Sequence, residues 1–138
     1  MLSYVYSLLV KDSMVTLLKV GLDPYLGFYH QVKYGKPALS LDMIEEFRAI
    51  IGDSVVITAI NNGELVETDF VNKGYGTSMT SNGKKKLISG YERRMSTLVT
   101  HAVFDYSISY RKIMEIQARL LGRYLQGEID AYPVFGTR

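Results

Sequence analysis

The sequence predicts a mainly α, helical bundle-like domain with a place for one short β-hairpin. Apolar residues recur at helical spacing in most of its 138 residues, strand signals are few, and 47% hydrophobic against 22% charged residues suits a packed core. The first helix is expected from Leu2 to Val20. Pro37 and Ala38 then open a second run, Leu39 to Ile51, in which Leu39, Met43, Phe47 and Ile50 mark one apolar face. A third helix is expected from Ser54 to Asn61. Between Glu64 and Ser81, Gly74 and Gly76 among several Thr and Ser residues read as a connection that holds the hairpin. Helices follow from Asn82 to Val99 and from Phe104 to Gly127, and the tail EIDAYPVFGTR reads as extended.

One domain is the natural count for this length, and no repeat or low-complexity segment interrupts it. Zero cysteines exclude disulfides, thiol catalysis and cysteine-ligated zinc. The apolar start is broken by Lys11 and Asp12 and lacks a basic leader, which argues against a signal peptide or a membrane span and favours the cytoplasm. GYGTS followed by lysines is not a phosphate loop, because Lys84 precedes Lys85 where Ser or Thr is required.

The chemistry-bearing stretch is Gly21 to Arg48, GLDPYLGFYHQVKYGKPALSLDMIEEFR, which sets His30 one loop before a helix carrying Asp42, Glu45 and Glu46. Carboxylates three and four apart on a helix are neighbours, and a divalent cation would relieve their repulsion. Imidazole with carboxylate oxygen suits magnesium or manganese. On spacing alone, solvated acidic residues near a helix start explain the same pattern. His101 and Asp105 form a weaker candidate pair at spacing four, while Tyr25, Phe28 and Tyr29 can pack or can stack on bases.

Net charge is +2, but five basic residues lie between Lys84 and Arg94 against Glu92. Helical projection puts Leu87, Ile88, Tyr91, Met95 and Leu98 on an inner stripe, with Lys86 and Arg93 outside. On the last helix Tyr110, Ile113, Met114, Gln117, Leu120, Leu121 and Tyr124 face inward, and Arg111, Glu115, Arg119 and Arg123 form an outer row in which Arg111 and Glu115 are placed to pair.

The segments GLDPYLGFYH and LSLDMIEEFR closely resemble the C-terminal half of the CRISPR-associated spacer-acquisition integrase, the Cas-one family. MLSYVYSLL, NGKKKLISGYERR and SYRKIMEIQARLLGRYLQGE match in the same order, so the resemblance spans essentially the whole chain. It implies a helical catalytic domain, residues 1–138, that binds Mg2+ or Mn2+. His30 matches the family's histidine, and Asp42 and Glu45 match the acidic pair, Glu45 as the more direct ligand; Glu46 is expected to be a solvated neighbour. The family's first metal glutamate, its N-terminal β-rich domain and the linker lie upstream of the motif at Met1. The chain therefore reads as a C-terminal fragment with an incomplete ligand set and weak activity in isolation.

The resemblance further implies attack of a DNA 3′-hydroxyl on a phosphodiester at a CRISPR repeat. It names spacer DNA, repeat DNA, the Cas-two protein and a second copy of the complete protein as partners. Lys84, Lys85, Arg93 and Arg94 are the first candidates for phosphate contact, independent of sequence and sensitive to salt. Two other readings remain: a DNA-binding or assembly module without catalysis, and an unrelated metallohydrolase, for which His101 is the spare imidazole.

Overall fold

The computed structural model describes residues 1–24, 42–100 and 106–133. The expected positions Tyr25, Phe28, Tyr29, His30, Leu39, His101 and Asp105 lie outside them. Helix α1, Leu2–Lys19, buries Val5, Leu9, Ser13 and Leu17, one residue per turn, and leaves Val15 and Leu18 exposed. Ser13 is tolerated inside because its Oγ donates to the Val10 carbonyl at 2.8 Å.

Residues 42–44 form a helical turn, and Arg48–Asp53 is π-helical before passing directly into α2, Ser54–Asn61. The two expected helices on either side of Gly52 are thus joined through a widened turn, where the Gly52 amide reaches the Phe47 carbonyl five residues back at 3.4 Å. A side chain at Gly52 would not fit. Its Cβ would stand 2.5 Å from Cε1 of Tyr6, a ring held by its hydroxyl on Asp53 at 2.7 Å and by the Arg48 guanidinium stacked 4.8 Å from its centre.

A short 3-10 turn, Glu67–Asp69, leads into β1, Phe70–Asn72, which pairs antiparallel with β2, Thr77–Met79, Phe70 opposite Met79. This is the expected hairpin. Helix α3, Ser81–Met95, starts with the Thr80 hydroxyl accepting from the Gly83 amide at 3.1 Å. It stops four residues before the expected Val99, since Leu98–Thr100 is strand β3, antiparallel to β4, Ser107–Ser109. Helix α4, Tyr110–Leu125, correspondingly starts six residues later than expected, where the Ser109 hydroxyl accepts from the Lys112 amide. A second antiparallel pair therefore occupies sequence assigned to helix ends: the Ser109 cap fixes where α4 begins, and Leu98 to Thr100 pair with Ser109, Ile108 and Ser107.

The core lies among the four α-helices of the described residues: Val5, Leu9 and Leu17 cluster with Phe47, Ile51, Val55, Leu87, Tyr91, Met95, Ile113, Met114 and Leu121. Met43 and Phe47 bury as expected, and Ile44 joins them. Leu98, expected in the inner stripe, is 68% exposed on its strand. No described helix is long and apolar enough to cross a membrane.

Candidate functional site

The three carboxylates of the acidic turn take three different environments. Asp42 is buried at 9% exposure, on the helical turn that also buries Met43 and Ile44. Glu45 points outward and accepts from the Arg48 guanidinium at 2.9 Å, both side chains about half exposed. Arg48 thereby neutralises Glu45 while stacking on Tyr6, and these contacts hold the guanidinium firmly protonated, the Glu45 hydrogen bond contributing most.

Glu46 is not the solvated neighbour expected from the sequence. Its Oε1 accepts from Nε2 of Gln117, fully buried on α4, at 3.0 Å, and its Oε2 accepts from the Tyr132 hydroxyl. Helical projection could not reveal this, because the partners lie 71 and 86 residues away. Burial, and then the Glu46 charge, push the Tyr132 phenol far above its usual range, so it remains a donor. Among the described residues no three His, Asp or Glu side chains gather as a metal cage.

The four basic candidates also separate. Lys84 and Lys85 are exposed, Lys84 with its ammonium 5.9 Å from the centre of the Tyr4 ring. Arg93 is exposed but paired with Glu64 at 2.8 Å. Arg94 is tied into the fold, its Nε donating to the Ile50 carbonyl at 3.0 Å and its guanidinium stacked 4.8 Å from the centre of Tyr110. Lys86, projected outward from the sequence, turns to the buried Asp69 carboxylate at 2.9 Å.

Arg111 does not pair with Glu115. It bridges Asp12 on α1 and Glu92 on α3, while Glu115 collects Lys19, Lys112 and Arg119. Asp12 also accepts from the buried Tyr91 hydroxyl, whose pKa burial and this carboxylate raise well above normal. The shallow groove of about 310 Å³ lined by Asp12, Lys19, Arg111, Lys112 and Glu115 therefore sets three cations against two carboxylates, each cation in an ion pair.

Residues 1–93 match the model of the family described as CRISPR associated protein Cas1. A Cas4/Cas1 exonuclease–endonuclease fusion of Geobacter sulfurreducens is 55% identical over the whole chain. The chain spans 25% of that fusion and corresponds to the C-terminal portion of its curated relatives. Among solved structures, a casposase bound to its integration product superimposes with a TM-score of 0.87 at 26% identity, over 96% of this chain and 38% of that one. A Cas6-RT-Cas1–Cas2 complex shares the fold, with a TM-score of 0.77 at 21% identity over 96% of this chain and 14% of that one. With that family match and these folds, the chain belongs to the Cas1 family, the family to which its motifs pointed.

Proposed function

We propose that the complete protein of which this chain forms part is a divalent-metal-dependent DNA integrase and endonuclease of CRISPR adaptation. The observation that carries this reading is the close fold match to a casposase bound to its integration product, and the motif resemblance assigns His30, Asp42 and Glu45 as the ligands. The donor set fits a hard cation: two carboxylates on one turn, one of them sheltered, with an imidazole and no soft ligand. Asp42, Glu45 and His30 would hold Mg2+ or Mn2+, with a further carboxylate from the upstream part. When bound, the ion lowers the pKa of the attacking hydroxyl and stabilises charge on the phosphate.

The chain's own residues do the remaining work. Asp42 keeps its carboxylate in a protected position, while Arg48 restrains Glu45 and limits repulsion within the turn. Lys84 and Lys85 supply exposed charge for phosphates without reading bases. Spacer and repeat DNA are the proposed substrates, and a Cas2 protein and a second copy of the complete protein are the proposed protein partners, the first in keeping with the Cas2 named in an assembly that contains the same fold.

The test is manganese-dependent joining of a short duplex to a repeat-bearing plasmid by the complete protein, compared with His30→Ala and Asp42→Asn, their folding checked by circular dichroism. Loss of joining in folded variants that still bind DNA supports the integrase. Joining that survives both substitutions refutes the assigned ligands. Equal DNA binding with no joining by any form favours a non-catalytic module.

A further inference from the structure

As far as Pro133 the tail after α4 is not the extended segment that the sequence predicts. Helix α4 ends at Leu125 in a reversal that needs Gly127, φ 77°: the Gly127 amide donates to the Tyr124 carbonyl at 3.1 Å and the Glu128 amide to the Arg123 carbonyl at 2.9 Å. The chain then doubles back. From Gln117 to Leu125 the helix rises about 12 Å, and the five steps from Gly127 to Tyr132 can span about 17 Å, which is ample reach.

At Gln117 the returning tail is fastened. Nε2 of Gln117 lies 2.9 Å from the Tyr132 hydroxyl, 3.0 Å from the Pro133 carbonyl and 3.0 Å from Oε1 of Glu46. An amide has two N–H groups for these three acceptors, so the donors are shared and the geometry is strict. The Tyr132 hydroxyl in turn donates to the other oxygen of Glu46. Oε1 of Glu46 thus accepts from α4 and Oε2 from the tail. Glu46 follows Glu45 directly and stands one helical turn after Asp42. Between the helical turn at 42–44 and the π-helical stretch the backbone runs through bonds three residues back, the Glu46 amide to the Met43 carbonyl at 3.3 Å and the Phe47 amide to the Ile44 carbonyl at 2.9 Å.

We infer that Gln117 and Tyr132 are positioning residues: together they clamp Glu46 and so fix the turn that presents Asp42 and Glu45. This rests on the proposed metal-dependent function for its consequence, though not for its geometry. Groups bonded directly to metal ligands change metal affinity by about 10–100-fold when removed; these two act through Glu46, one residue beyond Glu45, so the lower end of that range is expected. Tyr132→Phe keeps the ring and deletes the hydroxyl; Gln117→Met keeps the volume and deletes the amide.

The test uses the complete protein and two readouts, amide hydrogen exchange over residues 42–47 and calorimetric titration with MnCl2. For either variant, exchange in this segment should rise about tenfold with α1 and α3 protection unchanged, and Mn2+ affinity should fall about tenfold. Unchanged exchange at 42–47, or faster exchange spread equally over α1 and α3 in both variants, overturns the proposal. The second result would make the cluster a general stabiliser. Local acceleration in a protein whose wild type binds no Mn2+ supports the clamp while refuting the metal-dependent reading.

Discussion

Lys84, Lys85, Arg93 and Arg94 lie within eleven residues, yet the structure divides them into surface and scaffold, so their replacement should give two separable phenotypes. Each phosphate contact adds about 0.9 to the slope of log affinity against log salt; between roughly 50 and 200 mM that is about 3.5-fold per contact and about 12-fold for two. Lys84→Ala with Lys85→Ala should therefore flatten the salt dependence of DNA binding by about two contacts with thermal stability unchanged. Arg94→Ala should do the reverse. It leaves the Ile50 carbonyl without its charged donor and removes the contact with Tyr110, together about 2 kcal/mol, or a fall in Tm of about 6 °C for a domain of this size. Fluorescence anisotropy on a labelled duplex across a salt series, with calorimetric melting of each variant, reads both effects. An unchanged slope in the double lysine variant refutes the assignment, as does a flattened slope in Arg94→Ala with Tm intact.

Three further outcomes follow from individual contacts. Gly52→Ala should destabilise by about 1–3 kcal/mol, because the new methyl meets a Tyr6 ring fixed by Asp53 and Arg48; a wild-type urea midpoint would show that the ring can yield. Asp69 is held below the usual carboxylate range, first by the Val66 amide and then by the Lys86 ammonium, and Glu115 likewise, first by Arg119 and then by Lys112. Depressed folded-state values give stability that is present above the ordinary carboxylate pKa of about 4 and lost as pH falls through the folded value, so urea midpoints should drop on acidification and drop less in Asp69→Asn. An identical acid limb in that variant would remove Asp69 from the account. Phe47→Ala, which empties a fully buried site between α1 and the π-helical turn, should cost about 3–5 kcal/mol by urea denaturation, and a smaller loss would mean the turn collapses to fill the space.

The sequence by itself determined the helical class, the first helix to within one residue, the β1–β2 hairpin and the family, because these rest on local periodicity, turn residues and motif wording. It also placed Met43 and Phe47 in the core. Tertiary structure alone decided where long side chains end. Helical projection puts Glu46 opposite the apolar face of Met43 and Phe47 and so in solvent, but α4 and the returning tail offer it two donors that no projection contains. Periodicity puts Lys86 and Arg94 on the surface, yet Asp69 and the Ile50 carbonyl reach them from other segments. The Leu98–Thr100 strand was hidden for the same reason. Its ladder depends on Ser107–Ser109, and a pattern within one segment cannot report a partner that only folding brings alongside.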